Sequence, residues 1–153
     1  ATYIPDYPRA LFAQFWPGAL TVVLKAQPSL MWDLGETGGT VALRMPNDEI
    51  ALALLAEVGP MAVSSANRTG YPASRTVVEA ASQLGAAVEF YLDGGPVTGG
   101  LASTIVDCTR AEPVVLRQGA ISTEDILAVV AAADTPSDLP ESSAPDPEST
   151  TDE

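Results

Sequence analysis

The apolar positions of this chain change period several times, and each change predicts an element. From 5 to 15, Leu11, Phe12 and Phe15 fall on one face at helical spacing, with Pro8 tolerated in the first turn. Trp16, Pro17 and Gly18 end that helix. Residues 19–26 are rich in β-formers and read as a strand. Residues 27–39 read as a loop and 40–45 as a second strand. A helix is expected over 49–58, opened by Asn47 or Asp48 as N-cap. A short buried strand follows at 60–64, then a polar loop at 65–74 that contains Gly70 and Pro72. Residues 76–84 read as a helix closed by Gly85, 88–92 as a strand and 93–100 as a glycine-rich loop. Two more strands are expected at 102–108 and 113–117. The last helix runs over 123–133, with Ser122 as N-cap and Asp125 placed as in a capping box. Strands and helices interleave, so the fold class is α/β or α+β, a sheet covered by helices.

The periodic pattern stops near Asp134. From there to Glu153 stand seven acids, four prolines and no basic residue, and Leu139 is the one large apolar side chain. Such a segment has too little apolar surface to offset the entropy of ordering it, and it reads as an acidic disordered tail over 134–153. Residues 1–133 remain as one domain with 13 acids against 7 basic side chains, a balance of −6. That balance suits a phosphate backbone poorly, so direct tRNA or other RNA binding through a broad basic face is not expected. No apolar run has the length of a membrane span, and no membrane association is expected.

The chain has no histidine, which removes Ser-His-Asp, Cys-His and His-metal chemistry. Its single cysteine, Cys108, ends an apolar run and reads as a buried inert thiol, which fits a reducing compartment. The acids show no paired spacing that nominates a metal site. Thr40 and Arg44 are four apart on one strand and share a face, opposite Val41, Leu43 and Met45. An arginine on an apolar strand is costly to bury alone. It is either half of a structural ion pair or a fork for a carboxylate or phosphate. Ser64, Ser65 and Asn67 follow a short apolar run; they either cap a turn or line a ligand loop. Glycines 94, 95, 99 and 100 serve loops as readily as ligands. Arg117 stands between a strand and a helix N-terminus, where an anion site is plausible.

Five strings go further: F-W-P-G-A-L-T at 15–21, T-V-A-L-R-M-P at 40–46, S-S-A-N-R-T-G at 64–70, A-S-T-I-V-D at 102–107 and V-L-R-Q-G-A-I-S at 115–122. In this order they resemble the YrdC-like family over almost all of 10–125. The resemblance implies a twisted open sheet with a concave substrate cleft. It implies an L-threonylcarbamoyladenylate synthase, which turns L-threonine, bicarbonate and ATP into threonylcarbamoyl-AMP and pyrophosphate in the cytoplasm. Downstream tRNA threonylcarbamoyl-transfer proteins would then use the product. Carried over residue by residue, Thr40, Ser65, Asn67, Ser74 and Arg117 are expected to bind ATP, and Arg44 and Ser103 L-threonine. No side chain is assigned as a covalent nucleophile or acid–base group. Mg²⁺ is expected to arrive mainly bound to ATP.

Three positions depart from the family pattern: Ser64 stands where proline is common, Thr69 where serine is, and Gln118 where proline is. A strand like P-T-D-T-V-Y-G and a K-x-R motif, both implied by the resemblance, do not occur. The expectation is therefore an incomplete domain that is inactive or nearly so alone. Two other readings stay open: a carbamoyl-adenylate domain of a maturation protein, and a non-catalytic RNA-binding module.

Overall fold

Two of the expected strands meet as parallel neighbours in the middle of a four-stranded sheet. The computed structural model describes residue 1 and residues 4–97 and 101–133. The acidic segment 134–153 and the second glycine pair of the 93–100 loop lie outside the described residues. The strands are β1 (Leu20–Lys25), β2 (Thr40–Leu43), β3 (Thr104–Asp107) and β4 (Val114–Arg117), in the order β2-β1-β3-β4. β1 runs parallel to β3, while β2 and β4 flank them antiparallel. A parallel pair needs a long crossover. Here the crossover carries β2 and the helices α2 (Glu49–Val58) and α3 (Val77–Leu84).

Alternation along β1 decides the two faces. Leu20, Val22 and Leu24 are completely buried, as is Val106 on β3. Helices α1 (Asp6–Phe15) and α4 (Thr123–Ala133) cover this face with Tyr7, Leu11, Ile126 and Val130. Tyr7 and Leu11 are four apart and so lie on one side of α1. Full burial of side chains like Leu11, Leu20 or Ile126 contributes roughly 1.5–3 kcal/mol each. Thr21 and Ile105 point to the other face, which α1 and α4 leave uncovered, and both are only partly buried.

The helix ends follow from local chemistry. Asp48 is the N-cap of α2 and accepts from the Ala51 amide at 2.8 Å. Thr76 caps α3 through the Glu79 amide, and Glu79 reaches back to the Arg75 amide. Ser122 caps α4 by accepting from the Asp125 amide, and its hydroxyl donates to the Asp125 carboxylate, in place of the backbone amide that a capping box would use. Gly59 and Gly85 close α2 and α3 at positive φ, where a side chain is strained.

The strands expected at 60–64 and 88–92 do not form. Neither segment joins the sheet, and both lie largely open. Val63 is 86% exposed and Phe90 78%. A strand exists only by pairing, and β-propensity registers a side chain's preference without its partner. β2 also ends at Leu43, two residues short of the expected boundary, and Met45 is exposed.

Candidate anion-binding site at one end of the sheet

Several sites expected from sequence collect where β1 and β3 begin and where β2 and β4 end. Thr21 on β1 pairs with Ile105 on β3, and Ile105 with Arg117 on β4. Ser103 immediately precedes β3, and its hydroxyl lies 2.8 Å from that of Thr21. The β3–β4 register shifts between Ile105 and Val106, so Val115 answers Val106 while Arg117 answers Ile105. An extra residue in one strand re-aims the side chains beyond it. Val115 packs on the core, whereas Arg117 turns to Ser103.

Arg117 is tied to Ser103 by three hydrogen bonds. Its Nη2 donates to the Ser103 carbonyl at 2.8 Å and to the hydroxyl at 3.2 Å, and its Nε adds a longer bond to the same carbonyl. Thr104 holds this arrangement from below. It is completely buried and donates to the Ile121 carbonyl while accepting from the amides of Gly119 and Ile121. A buried hydroxyl satisfied in both roles locks the turn it bridges. Gly119 fits there because a Cβ would stand 2.1 Å from the Ala102 carbonyl oxygen.

Arg44 stands one residue beyond β2 and donates from Nε to the Gly18 carbonyl at 2.9 Å. The Gly18 amide in turn donates to the Met45 carbonyl, fixing the strand end against the turn after α1. Among the described residues the one ion pair joins Arg110 and Asp107. Neither Arg44 nor Arg117 has a carboxylate partner there. Of the two readings of Arg44, the structural ion pair is therefore not the one found.

The loop 64–74 forms a second centre. Asn67 Nδ2 donates to the Tyr71 and Arg68 carbonyls, and Ser74 donates to the Ala66 carbonyl at 2.7 Å. Asn67 Oδ1 is buried and has no hydrogen-bond partner among the described residues. No hydrogen bond joins this loop to Arg44, Ser103 or Arg117 among those residues. Thr40 lies at the opposite end of the sheet, paired with Lys25, and its hydroxyl donates to the Thr37 carbonyl. There it lines a depression of about 820 Å³ with Lys25, Thr109 and Arg110. The structure thus places Arg44, Ser103 and Arg117 at one end of the sheet and Thr40 at the other, and hydrogen-bonds Asn67 and Ser74 within their own loop.

Three residues of these networks escape a sequence reading: Thr21, Thr104 and Gln83. The first two sit inside quoted strings, but an alternating strand hides which hydroxyl faces a site. Gln83 belongs to no string. Cys108 is buried as expected; burial pushes its thiol up to about 11. Burial also raises the neighbouring Tyr7, whose hydroxyl donates to the Arg110 carbonyl. Among the described residues no three His, Cys, Asp or Glu side chains gather as a metal cage. No helix among them is long and apolar enough to cross a membrane.

A mixed sheet, covered on one face and carrying hydroxyls and arginines at one end, is the frame of an α/β domain. Comparison with known proteins gives the class a family. The Sua5/YciO/YrdC family, described as telomere recombination, matches residues 1–119. A Mycobacterium tuberculosis relative (strain CDC 1551 / Oshkosh) is 54% identical over 127 residues, covering 83% of this chain and 58% of that protein. The threonylcarbamoyl-AMP synthase of Bacillus subtilis (strain 168) is 40% identical, covering 82% of this chain and 37% of that one. The crystal structure of Pyrococcus abyssi Sua5 complexed with L-threonine superposes with a TM-score of 0.75 at 38% identity, covering 84% of this chain and 38% of that one. Escherichia coli YciO shares the fold, with a TM-score of 0.63 at 24% identity over 81% of this chain and 61% of that one. The chain belongs to the Sua5/YciO/YrdC family. It spans between 37% and 58% of the length of the M. tuberculosis and B. subtilis relatives.

Proposed function

We propose that this chain carries substrate-binding elements of an L-threonylcarbamoyladenylate synthase acting in the cytoplasm. The observation that supports it most is that Arg117, hydrogen-bonded to Ser103, and Arg44 stand at one end of the sheet, neither with a carboxylate partner among the described residues. Two hydrogen-bonded guanidiniums without counter-charges among the described residues suit anions from solution. L-threonine offers one carboxylate, and ATP offers three phosphates. Arg44 takes the threonine carboxylate with Ser103 alongside, and Arg117 meets the ATP phosphates. Thr40, Ser65, Asn67 and Ser74 are the further ATP contacts.

In the reaction the threonine amine combines with bicarbonate, losing water, to give a carbamate. A carbamate oxygen attacks the α-phosphorus, and pyrophosphate leaves. Threonylcarbamoyl-AMP results, and tRNA threonylcarbamoyl-transfer proteins consume it to make N6-threonylcarbamoyladenosine. This step asks the protein for alignment and charge neutralisation rather than for a nucleophile. A chain without histidine can supply both. Magnesium, carried on the ATP, would neutralise part of the phosphate charge.

The test is pyrophosphate release from ATP that depends on both L-threonine and bicarbonate. It is run on this chain and on the reading frame extended upstream of Ala1. We expect release from the extended polypeptide and near-background release from the 153-residue chain, given its share of its relatives' length. No release from either, with both folded, would overturn the proposal.

A further inference from the structure

Three side chains at the arginine end form a chain of hydrogen bonds, and its direction follows from what each group can donate. A guanidinium only donates, so the 3.2 Å bond between Arg117 Nη2 and Ser103 ends on the hydroxyl oxygen. The Ser103 hydroxyl keeps one hydrogen of its own to give. Ser103 is only 7% exposed, and among the described residues Thr21 Oγ1, at 2.8 Å, is the one acceptor that hydrogen meets. Were Thr21 the donor, the Ser103 hydrogen would be buried without an acceptor, which is costly. Thr21 is partly exposed, so its own hydrogen can turn outward at no such cost. The chain therefore runs from Arg117 through Ser103 to Thr21. It ends in an O–H with no acceptor among the described residues.

Thr21 also stands between the two arginines. On one side it pairs with Ile105, which pairs with Arg117. On the other, the β1–β2 register continued one place beyond Leu43 sets Arg44 against it. It lies on the face of the sheet that α1 and α4 leave uncovered. Neither arginine has a carboxylate partner among the described residues. A hydroxyl donor set between two cations, and polarised by one of them through Ser103, suits an oxyanion.

We infer that Thr21 is a further L-threonine-binding residue, donating its hydroxyl hydrogen to the substrate carboxylate that Arg44 holds. The inference rests on the threonine reading above and adds a contact to it. The hydroxyl that meets the carboxylate is that of Thr21, and the buried Ser103 acts through it. A phosphate would accept the same hydrogen bond, so ATP is tested beside L-threonine.

Calorimetry on the extended polypeptide measures binding of L-threonine, of L-threoninol (the alcohol left when the carboxylate is reduced) and of ATP. Thr21→Val keeps the shape and loses the hydroxyl. It is expected to weaken L-threonine about tenfold, as loss of a hydrogen bond to a charged group does, and to leave L-threoninol and ATP within about twofold. Thr21→Ser restores the hydroxyl and is expected within about twofold of wild type for all three ligands. Ser103→Ala leaves the Thr21 hydroxyl in place and Arg117 bonded to the backbone carbonyl, so a loss of only about threefold for L-threonine is expected. The double variant Thr21→Val/Ser103→Ala removes both hydroxyls and leaves no buried hydrogen unmet, so it serves even where Thr21→Val folds poorly. It is expected to match Thr21→Val. Unchanged L-threonine affinity in Thr21→Val and the double variant, a loss in Ser103→Ala as large as in Thr21→Val, no recovery in Thr21→Ser, or an ATP loss equal to that of L-threonine would each overturn the inference and leave the threonine reading standing. A folded wild type that binds no L-threonine would remove the reading itself, and the inference with it.

Discussion

The sheet with α1 and α4, and the stretch from Pro46 to Val97, are built from similar apolar residues and treat them in opposite ways. The sheet half gathers Leu11, Leu20, Val22, Leu24, Val106 and Ile126 into one core. The other half holds a helix, Glu49–Val58, whose sequence is apolar on nearly every side and which buries no residue. Beside it run the unpaired segments with Met61, Val63, Phe90 and Leu92 exposed. What holds this half is polar and local: the Asp48 and Thr76 caps and the hydrogen bonds of Gln83 to the loop 64–74. An apolar pattern states that a surface gains by burial; whether it is buried depends on a second surface. The arginine end of the sheet rests on the packed half, and the Asn67 loop on the hydrogen-bonded one.

The largest test of this contrast is truncation on each side. Leu20→Ala or Ile126→Ala is expected to cost about 2–5 kcal/mol, as filled core positions do. Phe90→Ala is expected to stay within about 0.5 kcal/mol, because its ring is already in water. Urea unfolding of the three variants checks it. A large loss at Phe90 would mean that the exposed half packs in solution more than its surface shows.

The next test asks whether the arginine end works independently of the loop. Arg44→Ala in the extended polypeptide removes a charged fork from the proposed carboxylate site, worth about 1.5–3 kcal/mol of L-threonine affinity. ATP affinity is expected to change far less. Equal losses of both ligands, with thermal unfolding unchanged, would take Arg44 out of its role.

A third test uses proton linkage in the packed half. Burial raises the Cys108 thiol from 9.0 to about 11. Below pH 9 folded and unfolded chains both keep the proton, and full stability is present. Between pH 9 and 11 the unfolded chain releases it first, so stability falls with rising pH, by at most about 2–3 kcal/mol. Tyr7, raised by the same burial, pushes in the same direction above its ordinary range. Unfolding free energies measured across this window should show the slope, and Cys108→Ala should reduce it. A flat profile in the wild type would contradict the burial of this thiol.

Much of this architecture was legible, and the reasons differ by residue. The helices over 49–58 and 123–133 could be placed because their caps are local: Asp48 and Ser122 act within three residues. β1 could be placed because its alternation is local too. The segments 60–64 and 88–92 misled because pairing is not local; their β-rich composition is real, but no strand receives them. Arg44 could be singled out as a charge at the end of an apolar strand, although it lies one residue beyond β2 and is exposed, so the burial cost does not arise. That it has no carboxylate partner among the described residues depended on where their acids fall. Thr21 and Gln83 were out of reach because each matters through contacts far along the chain, Thr21 to Ser103 and Gln83 to Arg68, Pro72 and Ser74. The turn of Arg117 toward Ser103 depends on one register shift between β3 and β4.

The smallest effect separates the halves by what a cap is worth. Asp48 closes a helix with no buried residue, whereas Ser122 closes one anchored by Ile126 and Val130. Removing either cap as Ala leaves similar amides unmet, at about 1 kcal/mol. The two losses should nevertheless appear differently. In α4 packing keeps the helix formed, so the cost enters global unfolding. In α2 little besides the cap opposes fraying, so Asp48→Ala should raise local amide exchange over 49–52 by about fivefold, with global stability almost unchanged. Hydrogen exchange read residue by residue distinguishes the cases. Slow exchange through the first turn of α2 in Asp48→Ala would show that this helix has support beyond its own ends.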